Sequence, residues 1–173
     1  MSEHFLVNAL GPDKTGLVEE LSEVVLENGF SIADSRMAIL GDHFSVLMLV
    51  TGEKKGEEGL KKSLSGLKTL EITVRQVKPR HVVSGVFLYS IKIMGSDARG
   101  IVHSITNYLR SKGVNVAAME TWVTHAPHSG TEVFNMHLTA EVPHRNNIRE
   151  FKEGLVEICD GLNLDVDMEP VQG

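Results

Sequence analysis

Two short turns hold the residues best suited to chemistry. Gly11-Pro12-Asp13-Lys14-Thr15-Gly16 and Gly95-Ser96-Asp97-Ala98-Arg99-Gly100 share the pattern Gly-x-Asp-x-x-Gly, and each runs into an apolar pair that reads as the start of a helix. A helix N-terminus offers backbone N–H groups without intrahelical partners and the positive end of the helix dipole, both suited to a carboxylate or phosphate. The Asp13 carboxylate beside it can accept hydrogen bonds from an α-ammonium group. Together they are what an amino-acid zwitterion needs. Gly11, Asp13, Lys14 and Gly16 are therefore candidate ligand-binding residues, and Gly95, Asp97, Arg99 and Gly100 repeat the chemistry, with Arg99 able to fork onto a carboxylate. The competing account is an ordinary turn in which Asp13 or Asp97 caps the following helix. A nucleotide loop is rejected, because Asp13 stands where a phosphate-binding loop needs glycine before Lys14-Thr15.

Other groups carry less. Eight histidines raise a metal reading around His125, His128, His137 and His144, but a solvated polar surface explains them better: the single Cys159 offers no zinc-type companion, and no His-Glu-x-x-His helix occurs. No metal or cofactor is expected. Trp122 and Phe134 are candidates for a partner-binding spot, with ordinary packing as the stronger account. No Ser or Cys sits on an elbow motif and no carboxylate pair is poised for acid–base work, so no enzymatic activity is expected.

Composition agrees with a folded, non-membrane chain. Of 173 residues 42% are hydrophobic and 23% charged, enough for a core and far too few for membrane spans. The net charge of −6 is the wrong sign for a surface that attracts nucleic acid. Met1-Ser2-Glu3-His4 does not read as a secretory leader, and one cysteine cannot close an intrachain disulfide, so a cytoplasmic setting is expected.

The elements that must position these turns come from a duplication. The turn repeats at an offset of 84 residues, and Asn28-Gly29-Phe30-Ser31-Ile32-Ala33 answers Lys112-Gly113-Val114-Asn115-Val116-Ala117 at the same offset. Leu17, Val18, Leu21, Val24 and Val25 lie on one helical face, as do Ile101, Val102, Ile105, Tyr108 and Leu109; Gly29 and Gly113 stop the two helices. Strands precede these helices at 4–10 and 88–94. Alternating patterns predict strand pairs at 31–40 with 44–51 and at 114–124 with 131–142, then helices over 57–67 and 146–161 and closing strands at 70–77 and 164–168. Each copy reads β-α-β-β-α-β. The fold class is α+β: two tandem ferredoxin-like units, each a four-stranded antiparallel sheet with helices on one face. Domains are expected at 1–80 and 86–173, with a short linker over 78–85. Units this small leave sheet surface to be covered, which predicts that the copies pack together and that the chain forms a homodimer.

This duplicated pattern, with its turn and the Gly-φ-[Ser/Asn]-[Ile/Val]-Ala entry to the second strand, resembles the ACT domain, a regulatory module that binds small ligands, most often amino acids. The run Ala9–Val18 and the stretch Asn28–Phe44, which includes Asp34-Ser35-Arg36-Met37-Ala38-Ile39-Leu40-Gly41, resemble more narrowly the glycine cleavage repressor family. That resemblance implies two ACT domains without a DNA-binding domain, contact with a LysR-type transcriptional activator, and relief of repression by glycine. It also implies a ligand at a domain interface, between the first turn and the start of the second strand. By position this adds Ser31 and Asn115 to the candidates, Asn115 being the better match because its amide both donates and accepts. The implied function is a non-enzymatic, amino-acid-responsive repressor of glycine cleavage genes; the alternative is an accessory subunit of an amino-acid or one-carbon enzyme.

Overall fold

The computed structural model describes residues 2–78, 84–96, 99–127 and 129–171, and the chain divides into two compact units, Met1–His81 and Val82–Gly173. In the first, β1 (Ser2–Pro12), α1 (Leu17–Glu27), β2 (Ser31–Leu40), β3 (His43–Glu53), α2 (Glu57–Leu64) and β4 (Glu71–Val77) follow in order. The second repeats them as β5 (Val86–Gly95), α3 (Ile101–Ser111), β6 (Asn115–His125), β7 (Glu132–Pro143), α4 (Ile148–Gly161) and β8 (Leu164–Pro170). The sheets are ordered β2-β3-β1-β4 and β6-β7-β5-β8, and every pairing is antiparallel. Among the described residues no helix is long and apolar enough to cross a membrane.

Strand alternation sends one set of side chains under the helices. Phe5, Val7 and Ala9 of β1 and Val46, Met48 and Val50 of β3 are buried with Leu17, Leu21 and Val25 of α1 and Leu60 and Leu64 of α2. The second core repeats this with Ile91, Ile93, Met136, Leu138, Ala140, Ile105, Leu109, Phe151 and Leu155. Trp122 is 46% exposed on β6 and so is no part of that core, whereas Phe134 is buried in it.

The second strand of each unit lies at a sheet edge, and in each the register slips by one residue, at Ala33 and at Ala117. The repeated alanine of the strand-entry motif is thus the bulged residue, which adds local twist to an edge. α2 stops at Leu64 rather than Leu67, because the chain turns through Ser65 and Gly66, with Gly66 N–H donating to Ser63 O at 3.0 Å.

Each core has its own aromatic pair. Phe30 meets Phe5 edge-on with centroids 5.5 Å apart. The ring lies over backbone, so that a methyl on Gly52 would stand 2.4 Å from Phe30 Cδ1. In the second unit Tyr108 stacks on Phe151 at 5.6 Å and its hydroxyl donates to Phe151 O at 2.7 Å. Overpacking of this kind costs about 1–3 kcal/mol. Gly52→Ala should therefore destabilise the first unit by about that amount in urea unfolding, while Gly161→Ala, whose methyl meets nothing within 4 Å, should change little.

Candidate ligand-binding site

The first turn connects the end of β1 to α1, and its two glycines have separate causes. A Cβ on Gly11 would lie 2.4 Å from Thr69 O and 2.7 Å from Leu70 Cδ2, because the entry to β4 crosses directly over this point. Gly95 has the same constraint, with Leu164 Cδ2 at 2.2 Å from its would-be Cβ. Gly16 and Gly100 sit over open space but have φ of 94° and 75°, in the left-handed region that glycine enters without steric cost. Packing and backbone geometry thus account for all four glycines.

Asp13 is different. Its backbone N–H donates to Asp42 O at 2.9 Å, which ties the turn to the β2–β3 hairpin. Its exposed carboxylate has no hydrogen bond or ion pair among the described residues. The capping account therefore fails for Asp13: the N-cap of α1 is Gly16 and no side chain caps that end. α4 shows what a side-chain cap looks like, with Asn147 Oδ1 accepting from Arg149 N–H at 3.1 Å. Lys14 is committed elsewhere, its Nζ 2.8 Å from Glu20 Oε1 across the first turns of α1. Asp42, next to the turn, is held below the usual carboxylate range by the hydrogen bond from His43 Nδ1 at 2.7 Å.

In the second turn Arg99 and Gly100 are exposed, while Asp97 lies outside the described residues. α3 likewise begins at a left-handed glycine, with no side-chain cap among the described residues. Asn115 opens β6, and its Nδ2 donates to Glu141 Oε2 at 2.7 Å, so one of its two donors is already used. Glu141 is only 9% exposed. No pattern in the sequence marks this pair, since it joins strands 26 residues apart.

The register separates the candidates. Gly11 is level with Phe44 and Ile39, whereas Ser31 is level with Thr51 and His4, seven residues further along β1. At about 3.3 Å per residue the turn and the strand start lie roughly 23 Å apart along one sheet. The second unit has the same offset: Gly95 is level with Phe134 and Val123, and Asn115 with Glu141 and Leu88. Gly11, Asp13 and Gly16 are brought together, as are Arg99 and Gly100 near Gly95. Ser31 and Asn115 stand at the far ends of their own sheets.

The described histidines of the candidate metal group go to different partners: His137 Nε2 is hydrogen-bonded to Ser90 Oγ at 2.9 Å, His144 packs on Phe87, and His125 faces Glu132; His128 lies outside the described residues. Among the described residues no group of three or more His, Cys, Asp or Glu is placed to hold a metal. Arg36 bonds to Asp34 within β2, so that strand motif is partly self-satisfied.

These turns, the split β-α-β units and their duplication define a tandem ACT-like fold. Residues 3–76 match the family model for the ACT domain, spanning the first unit from β1 to β4. Over 169 residues the chain is 24% identical to the glycine cleavage system transcriptional repressor of Escherichia coli (strain K12), covering 94% of this chain and 87% of that protein. A crystal structure of an unknown protein from Galdieria sulphuraria superposes with a TM-score of 0.87 at 28% identity, covering 99% of this chain and all of that one (100%). A crystallised candidate glycine cleavage system transcriptional repressor shares the fold, with a TM-score of 0.70 at 19% identity over 100% of this chain and 99% of that one.

Cys159 faces the second core, fully buried, and burial together with Asp160 pushes its thiol up to about 11. Against the ordinary value of 9.0 this leaves about a hundredfold less thiolate at pH 8. Iodoacetamide labelling at that pH should be slower than in the urea-unfolded chain by at least this factor. Because the folded state holds the proton more tightly, the contribution to stability is complete below about pH 9 and lost as pH rises toward 11. The second unit should lose urea resistance over that window.

Proposed function

We propose that this protein is a non-enzymatic, amino-acid-responsive regulator that represses glycine cleavage genes through a protein partner of the LysR activator type. The observation that carries the reading is Asp13: an exposed carboxylate that, among the described residues, has no partner and stands beside a helix N-terminus no side chain caps. With both glycines explained by packing and backbone geometry, the carboxylate remains the part of the motif that local structure does not use. It suits an α-ammonium group while the open N–H groups of α1 suit the α-carboxylate. In the sequence, Asp97 and Arg99 repeat this chemistry in the second turn. The similarity to the Escherichia coli repressor along most of both chains supports the regulatory role.

A ligand that also touches Ser31 or Asn115 has to draw the two kinds of residue from different sheets, given the roughly 23 Å between them within one unit. In a homodimer the partner subunit supplies the second set. Such a ligand acts on regulation by binding one arrangement of domains better than another, and about 1.4 kcal/mol of difference gives tenfold coupling.

Calorimetric titration with glycine and with serine tests the reading. Saturable heat with at least one of them is expected, weakened at least tenfold by Asp13→Asn, by Asp97→Asn, or by the two together. Absence of heat with every proteinogenic amino acid overturns the sensor role, and unchanged affinity in the double variant removes the turns from the site.

A further inference from the structure

The sheet face away from the helices differs between the two copies, and the difference is concentrated in the second unit. Two rows of side chains cross that face, one residue from each strand. The first runs Trp122, Asn135, Met94, Asp165; the second runs Glu120, His137, Lys92, Asp167. With strands about 4.8 Å apart, Trp122 and Met94 stand roughly 10 Å from each other across β7. Between them lies a cavity of about 210 Å³, floored by Asn135 and His137 and walled by Trp122, Met94 and Lys92. The Ser90–His137 hydrogen bond and the Asn135 Nδ2 donation to Thr124 Oγ1 at 3.0 Å hold the floor in place.

The surroundings are acidic. Asp165, Asp167 and Glu169 alternate along β8 on this face, and Glu120 stands on the opposite edge. All four are exposed, and none has a hydrogen bond or ion pair among the described residues. Lys92 is the one lysine in these rows. The corresponding rows of the first unit are Ala38, Ser45, Leu10, Glu71 and Arg36, Leu47, Asn8, Thr73. They hold no aromatic side chain and no line of carboxylates, so the feature is a property of this unit and not a requirement of the fold.

We propose that this face docks a basic segment of another protein, which inserts one large apolar side chain between Trp122 and Met94 and sets lysine or arginine side chains against Asp165, Asp167 and Glu169. The cavity is below the roughly 300–1,000 Å³ usual for small-molecule sites, while an exposed tryptophan beside a pocket is the usual anchor of a protein interface. Trp122 and Met94 remain 46% and 48% exposed, apolar surface that a partner would remove from water. The carboxylates select the sign of that partner, which disfavours a second copy of a chain whose own charge is −6.

Trp122 is the chain's one tryptophan, so its emission reports directly on this face. The probes are an acetylated peptide alternating lysine and leucine, its glutamate–leucine counterpart, and a lysine–serine peptide. The lysine–leucine peptide should shift the emission to the blue with saturation, more weakly at high salt, and the other two should not. The combined variant Asp165→Lys, Asp167→Lys, Glu169→Lys should weaken it about tenfold, and Trp122→Ala should weaken the same binding in calorimetry. The proposal is overturned by an equal response to the glutamate–leucine peptide, by no response to any peptide, by unchanged affinity in the charge-reversed variant, or by a shift that follows protein concentration without peptide. No amino-acid ligand is needed, so this test stands or falls apart from the turns.

Discussion

The path of the chain after its first strand governs what this protein can do with its turns. β1 occupies a central position, paired on both sides, and α1 must return along the sheet before β2 can begin at an edge parallel to β1. That crossover puts the turn at one end of the sheet and the start of β2 at the other. The same holds for β5, α3 and β6. Hydrogen-bonded registers fix the offset at seven residues in both units, so side-chain rearrangement cannot close it. A ligand reaching both sets of residues has to draw on two sheets, because neither unit alone brings them together.

Within the turn, the glycines and the aspartate answer to different constraints. The first glycine of each motif yields to a close crossing by the chain entering the last strand, and the last glycine supplies a left-handed backbone. Neither role needs a ligand. The Asp13 carboxylate is in the opposite position, without a hydrogen bond or ion pair among the described residues, and no side chain among them caps the helix it precedes. An uncapped helix end with a nearby idle carboxylate forgoes local stabilisation of the order of 1 kcal/mol that a Ser, Asn or Asp cap gives.

Much of the fold could be read from sequence because its signals are local and occur twice. Leu17, Leu21 and Val25 mark a helical stripe, Phe134, Met136, Leu138 and Ala140 a strand, and the repeat at 84 residues lets each copy check the other. Ser31–Leu40 coincides with the strand observed. α2 ran short because Leu67 keeps the helical spacing after Ser65 and Gly66 have already turned the chain. The candidate site was less legible. Its composition follows from a motif, but the separation of Asp13 from Ser31 follows from strand order, and the Asn115–Glu141 hydrogen bond joins residues no local pattern links. The row joining Trp122 to Met94 is likewise a product of register across three strands.

Hydrogen exchange on the full chain, read by mass spectrometry with and without glycine, tests the proposed sharing of the ligand between sheets most directly. Sharing predicts that glycine slows exchange both in a turn, at residues 11–18 or 95–103, and at a strand start, around Ser31 or Asn115, with the same concentration dependence. Protection confined to the turns, or none anywhere, would contradict it.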